Sequence, residues 1–543
     1  MRLPTPPRHD HRRLPGATSR RGYPRLAPPT LRVPEAGSVT ITLPEVADAA
    51  ASGRSGPIER RGDAVMTDAT HDSRQVRPGW LYCAVPGATV DGHKFCIDAV
   101  DAGAPALLVE RFVEVDVPQV RVPSVRRALG PVAARIHDHP SDRLSVVGVT
   151  GTNGKTTTTY LLESAFGAGA LGTGVVGTIE TRIHGQPQPG VRTTPEATDV
   201  QRLLATMDAR GVDAVAMEVS SHGLAQHRVD GTRFAAAVFT NLSQEHLDFH
   251  GTLEDYFAAK ARLFTPELAE VAIVCVDDQW GRRLADIATI PVVTYGQSPD
   301  ADVRIVDVDS SIEGVTCRLV ADHAGALPGG PAMTLTTRLI GAYNSANAAA
   351  AYLAATRVGV EPDAAAAGIA DCPGIPGRLE PVDRGQPFAV LVDYAHTPDA
   401  LSRAVAEVDK LIEPGSRVHV VVGCGGDRDV GKRPVMGRIA AEGGRAVLTS
   451  DNPRSEDPIA ILAQVEAGAR RVPSADVVVE PDRRAAIAAA IAGSEPGDVV
   501  LIAGKGHETD QEFADRTVPF DDRQVATEVL AARGWRRQRG GAA

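Results

Sequence analysis

Short apolar runs recur along this chain, and most of them end in a polar, glycine-bearing loop followed by a helical pattern. The runs at 144–150, 214–219, 235–239 and 271–276 are small or β-branched and almost continuously apolar. Such runs predict strands buried on both faces. The segments between them carry helical periodicity, which implies a parallel sheet with helices on its faces. A helix at about 342–356 closes this region, and Gly374-Ile-Pro-Gly377 reads as a linker. The alternation then resumes, with strands at 388–393, 418–422, 446–449 and 499–503. Thr397-Pro398 predicts a helix start, with threonine as the N-cap and proline at the first helical position. Upstream, strands at 80–85 and 106–109 flank a helix-like stretch at 94–102.

The pattern therefore divides the chain. Residues 1–38 are rich in Arg and Pro, nearly free of acids and without periodicity, which reads as a disordered tail. An organelle transit peptide shares that bias, but a plain tail or an upstream start codon is the preferred reading. Residues 39–142 form a mixed α/β domain, 143–375 a central parallel-sheet domain, and 376–543 a C-terminal Rossmann-like domain. A length of 543 residues fits about three domains.

The central domain carries the strongest local signal. Gly151-Thr152-Asn153-Gly154-Lys155-Thr156 stands between a predicted strand and a predicted helix, with Thr157 opening the latter. Strand, glycine-rich turn and helix form a phosphate-binding loop: backbone N–H groups turn toward oxyanions, and the helix N-terminus adds positive potential. Lys155 would meet the β- and γ-phosphates of a nucleotide, and Thr156 would hold Mg²⁺. One departure stands out, since Val149 occupies a position where the usual pattern has glycine.

Charge composition sharpens the picture. Lysine and arginine total 57, yet only Lys94, Lys155, Lys260, Lys410, Lys432 and Lys505 are lysine. Arginine supplies the generic positive charge, so each lysine invites a specific question. Lys155, Lys432 and Lys505 lie in glycine-rich segments, and Lys94 and Lys410 read as surface residues. A net charge of −11 argues against nucleic acid or a membrane surface as partner. No apolar run is long enough for a bilayer span. Six cysteines without framework spacing read as reduced thiols of a cytoplasmic protein.

Several polar clusters follow strands. Glu218 in Glu218-Val-Ser-Ser-His222 could hold a second Mg²⁺. His246 could be a metal ligand or a cap. Thr252 and Asp255 resemble a capping box, which puts Lys260 about two turns into a helix. Lys260 is either a solvated helix lysine or an amine whose pKa burial lowers until it reacts with CO₂. In the last domain three charged loops, 423–428, 451–454 and 504–508, follow strands, where ligands of open parallel sheets bind. Arg428 and Arg454 are candidate carboxylate clamps, with surface ion pairs as the alternative.

In this order and number, the motifs from about 65 to 525 resemble the Mur ligase family. The match is to members that add meso-diaminopimelate to UDP-N-acetylmuramoyl-L-alanyl-D-glutamate. The resemblance implies an ATP- and Mg²⁺-dependent amide ligase of peptidoglycan precursor synthesis, working as a monomer. It implies a UDP pocket at Ser73 and at Ala88-Thr89-Val90, and a loop for ATP at 151–157. Thr193, Thr194, Ser220, Gln226 and Arg228 would grip the muramoyl dipeptide. Glu218 and His246 would be Mg²⁺ ligands, and Lys260 the lysine carbamylated in this family. Asn344, Arg378 and Asp393 would contact nucleotide. Arg428, Asp451, Asn452, Pro453, Arg454, Gly504 and Glu508 would form the amino-acid pocket, the Asp-Asn-Pro-Arg form being the one associated with meso-diaminopimelate. Lys155, Lys260, Glu218 and His246 would carry the catalysis. His71 departs from the apolar residue usual before Asp-Ser-Arg. The rival readings are a lysine-adding or folylpolyglutamate-type ligase, and a P-loop switch that ligates nothing.

Overall fold

The computed structural model describes residues 40–52, 56–87, 90–188, 192–321, 323 and 325–535. The predicted tail at 1–38 and the proposed UDP-pocket residues Ala88 and Thr89 lie outside them.

Three sheets organise the described residues. The first has five strands, in the order Glu59–Arg61, Gln119–Arg121, Leu107–Val109, Trp80–Cys83, Asp68–Thr70, parallel except for Glu59–Arg61. The second has 11 strands, and its parallel part is ordered Thr173–Val176, Ala214–Glu218, Ser145–Thr150, Ala236–Phe239, Ala272–Cys275, Val292–Gly296, Val303–Ser311. The third has six strands and runs Glu380–Pro381, Ala389–Asp393, Val499–Ala503, Val418–Val422, Arg445–Leu448, Val477–Val479. The predicted α/β architecture with parallel sheets is thus the one observed.

Continuous apolar runs translate into burial on both faces. Val147 and Val149 enter one core of the central sheet while Val146 enters the opposite one. Val420 and Val422 likewise face one side of the third sheet and Val421 the other. Alternation of side chains along a strand requires this, and only apolar residues meet it without stranding polar groups.

Three local readings change. Residues 92–102 are a 3₁₀ turn, Gly92–Phe95, then the helix Cys96–Asp101, because Asp91 caps the turn by accepting from the His93 backbone N–H. The helix after the phosphate loop already starts at Lys155 and runs to Ala168. Between 303 and 337 an antiparallel meander, Val303–Ser311, Gly314–Ala321 and Ala332–Thr337, extends the central sheet where the sequence pattern gave no element. Its signal was alternating burial, as at Val303 and Ile305, instead of a continuous apolar run.

The first sheet is tied to the second by buried charge. Arg202 donates to Asp68 from Nε at 2.8 Å and Nη2 at 3.2 Å, and Arg126 pairs with Glu196. His71, the departure noted in the sequence, lies 3.3 Å from the Thr198 hydroxyl across the same junction. A polar residue at 71 therefore has a partner there.

Candidate active site

The phosphate loop leaves the strand Ser145–Thr150 at Gly151. Val149 sits inside that strand, in register with Glu218 and Val238, so the loop needs no glycine there. Gly151 and Gly154 have φ of +149° and +87°. A Cβ on Gly154 would come within 2.4 Å of Asn347 Oδ1, and one on Gly151 within 1.9 Å of Thr240 Oγ1. Both positions therefore exclude side chains. Thr152 and Asn153 are pinned from behind, their N–H groups donating to the Asn241 backbone and side-chain oxygens at 2.9 Å each. The helix that follows has no side-chain cap. Its first N–H groups lack intrahelical acceptors, the arrangement with which helix starts bind anions. Thr157 is buried beneath the loop.

Lys155 folds back on the loop, donating to the carbonyls of Gly151 at 2.9 Å and Thr152 at 2.7 Å. Burial pushes its amine down, against the pull of Glu218 and Glu245. Thr156 donates its hydroxyl to Glu218 Oε1 at 3.0 Å. Glu218 ends the neighbouring strand and also accepts from the Thr178 N–H at 2.8 Å and hydroxyl at 2.9 Å.

Lys260 is 1% exposed in the helix Leu253–Ala261, whose predicted Thr252–Asp255 cap forms at 3.1 Å. Its amine donates to Gly151 O at 2.8 Å and lies 4.5 Å from the Tyr256 ring centroid. Burial first, then the Lys155 charge, pushes its pKa well below the usual lysine range. His246 has φ of +56° and caps the short helix Leu247–His250 by backbone alone. Its ring lies 4.8 Å from that of His222 and 6.2 Å from that of Tyr256, and burial lowers its pKa. Among the described residues no three His, Cys, Asp or Glu side chains are grouped closely enough to hold a metal alone. The hard oxygen donors that meet directly are Thr156 and Glu218, a pair chemically suited to Mg²⁺. An amine at 260 does not suit that ion, whereas a carbamate oxygen there would.

Beside this centre, Thr193 Oγ1 lies 3.0 Å from Thr178 Oγ1. Thr194 donates to the Glu218 carbonyl at 3.0 Å and pairs with Ser220 Oγ at 3.0 Å. Arg228 donates to Thr194 O at 3.0 Å and to Gln226 Oε1 at 2.6 Å, and ion-pairs with Glu196 at 3.1 Å. All five predicted dipeptide residues are therefore contiguous with Glu218. By contrast, Ser73 opens a short 3₁₀ helix and Val90 is exposed in the first domain.

Asn344 and Asp393 are buried at the approach of the third sheet. Asn344 donates to Ile340 O at 2.8 Å, and Asp393 accepts from the Leu379 and Ala395 N–H groups at 2.8 Å each. Burial raises Asp393 while Arg378 opposes the rise. Arg378 lies over the Tyr394 ring at 5.1 Å, and its charge is felt at Lys155.

A cavity of about 640 Å³ opens where Ile179 and Glu180 of the central domain face Pro376, Asn452, Arg454, His507, Glu508, Glu512 and Arg523. Arg454, itself at φ +52°, donates to Gly426 O at 2.9 Å and to Glu512 Oε2 at 3.0 Å. Asn452 donates to Glu508 at 2.8 Å. Asp451, Pro453 and Gly504 hold the loops from behind; the Asp451 carbonyl accepts from Gln511 at 2.7 Å and the Gly504 N–H donates to Asp393 O at 3.1 Å. Arg428 is exposed and outside the cavity lining. Glu180 stands two residues from Thr178, so one short segment links the phosphate loop, through Glu218, to this cavity. Sequence reasoning missed Thr178, Glu180, Glu196 and Glu512. None belongs to a local motif, and only contacts across the fold reveal them.

Three family models match successive segments: "Mur ligase family, catalytic domain" at 67–137, "Mur ligase middle domain" at 149–355, and "Mur ligase, glutamate ligase domain" at 377–506. A UDP-N-acetylmuramoyl-L-alanyl-D-glutamate–2,6-diaminopimelate ligase of Streptomyces coelicolor is 49% identical over 480 residues, 86% of this chain and 93% of its own. The enzyme of that name from Streptomyces avermitilis is 48% identical over 490 residues, 88% and 95% of the two chains. A solved ligase of the same name superposes with a TM-score of 0.65 at 32% identity, covering 86% of this chain and 95% of that one. With a glycine-rich loop and a second cavity joined by one segment, and relatives this similar along nearly their whole length, the chain belongs to the Mur ligase family.

Proposed function

We propose that this protein joins meso-diaminopimelate to UDP-N-acetylmuramoyl-L-alanyl-D-glutamate, forming an amide bond at the cost of ATP. The carrying observation is the link Thr156–Glu218–Thr178, which sets the phosphate loop beside the cavity lined by Asn452, Arg454 and Glu508. A nucleotide switch has no use for such a second site. The names of the relatives above, both 2,6-diaminopimelate ligases, support this choice of substrates. Six free, buried cysteines agree with a reducing cytoplasm as its place of work.

The chemistry follows from charge and placement. A carboxylate is a poor electrophile, so an oxygen of the D-glutamyl carboxylate attacks the γ-phosphorus of ATP and ADP leaves. The resulting acyl phosphate is attacked at carbon by the free amine of the diaminopimelate, and phosphate departs with the bridging oxygen. Lys155 and the uncapped helix N-terminus stabilise charge on the transferring group. Arg228, Thr194 and Ser220 hold the dipeptide, and Arg454 with Asn452 and Glu508 orients the amino acid. Thr156, Glu218, His246 and a carbamate on Lys260 would hold Mg²⁺, which supplies neutralisation of the phosphate charge. Arg378 and Asp393 bring the third domain to the nucleotide.

The test is turnover of the purified protein with the UDP-dipeptide, ATP, Mg²⁺ and a panel of amino acids. ADP and phosphate release that depends on meso-diaminopimelate supports the proposal. Equal stimulation by L-lysine refutes the substrate, and release with no amino-acid dependence refutes the ligase.

A further inference from the structure

Lys505 is fully buried, and the reaction just described gives it no part. Its ammonium is completely used: Nζ donates to Asn452 Oδ1 at 3.1 Å, Glu508 Oε2 at 3.2 Å and Asp510 O at 2.5 Å. Three donors on one compact atom meet three acceptors, one on the 451–454 loop and two on the stretch that follows Lys505 itself. Arginine, with donors spread along a planar fork, cannot converge in this way.

The consequence falls on the two cavity residues it holds. A carboxamide has two ends of nearly equal shape, one accepting and one donating. Asn452 Oδ1 receives both the Lys505 ammonium and the Glu512 N–H, the latter at 3.1 Å. Its amino end must then point the other way, and it donates to Glu508 Oε2 at 2.8 Å. Glu508 Oε2 thus takes donors from both Asn452 and Lys505, and its second oxygen is left outside this network. Asn452 and Glu508 line the cavity, whereas Lys505 does not.

We propose that Lys505 is a positioning residue that fixes the donor–acceptor polarity of the amino-acid pocket by holding Asn452 and Glu508 in one hydrogen-bonding arrangement. It acts through them and does not touch the amino acid. Without it the Asn452 oxygen keeps one donor of two, the Glu512 N–H, and Glu508 loses its cationic partner and can swing, so a zwitterionic amino acid meets a less fixed set of donors and acceptors. This inference rests on the ligase reading above.

The experiment compares the unaltered enzyme with Lys505→Met, which keeps bulk and removes all donors, and with Lys505→Gln, which keeps a donor without charge. The three Michaelis constants, kcat and thermal unfolding are measured for each. For Lys505→Met, KM for meso-diaminopimelate rises roughly 10- to 100-fold, the loss expected of a charge-assisted hydrogen bond. KM for ATP and for the UDP-dipeptide stay within about twofold. Lys505→Gln gives a smaller rise, and carries the test if the methionine variant does not fold. An unchanged diaminopimelate KM, or three KM values rising together with a lower melting temperature, overturns the assignment. Unaltered protein that shows no diaminopimelate dependence overturns the ligase reading, and this assignment with it.

Discussion

The amines of Lys155 and Lys260 converge on one acceptor, the carbonyl oxygen of Gly151, at 2.9 and 2.8 Å. Two ammonium ions sharing one carbonyl repel each other. Lys155 keeps a second acceptor in Thr152 O, and the deeper Lys260 relieves the repulsion by giving up its proton more readily. A neutral, buried amine beside a phosphate loop is the state that reacts with CO₂, and carbamylation replaces a cation–cation contact with a cation–anion one. Lys260→Ala should therefore lower activity roughly 100-fold or more, with partial recovery on adding short carboxylates to the assay. Unimpaired activity of the variant would remove the carbamate from the mechanism.

Arg454 illustrates how the protein's own groups hold a side chain of the proposed amino-acid pocket. Its Nε is bonded to Glu512 and its Nη1 to Gly426 O, which aims the guanidinium along the cavity wall. Arg454→Lys keeps the charge but loses the planar fork. KM for meso-diaminopimelate should rise roughly 10- to 100-fold while KM for the UDP-dipeptide changes little, as read from initial rates with each substrate varied in turn.

The junction of the first two domains should respond to acid. Burial alone would raise Asp68, but hydrogen bonds and charge from His137 and Arg202 hold its pKa down to about 2, from 3.8. The stabilisation is full above 3.8 and is lost as pH falls from 3.8 through about 2. The shift corresponds to about 2 kcal/mol. Asp68→Asn should lose at least that much at pH 7, because it also leaves the buried Arg202 with Asp199 as its one remaining carboxylate partner. The gap from the unaltered protein should narrow below pH 4, which denaturant unfolding at a series of pH values would measure.

What the sequence made legible was local. The Thr252–Asp255 cap, the Thr397 N-cap with Pro398 behind it, and the glycine-rich loop are decided by neighbours a few residues apart, and all form. The doubly buried strands were legible because a continuous apolar run has few other fates. The meander from Val303 to Thr337 escaped notice because one of its faces is wet, which dilutes the apolar signal to every second residue. Site residues inside motifs were named, yet their supports were not. Thr178 meets Glu218 from 40 residues away, and Lys505 meets Asn452 from 53. Lys505 did leave a trace, being one of six lysines in an arginine-rich chain.

In the proposed reaction a phosphoryl group passes to the substrate carboxylate before the amine arrives. The direct measurement labels both oxygens of the D-glutamyl side-chain carboxylate with ¹⁸O and analyses the released phosphate by mass spectrometry after turnover with ATP and meso-diaminopimelate. One ¹⁸O atom per phosphate, matching the amide formed, is the predicted result. Unlabelled phosphate accompanying amide formation would contradict it.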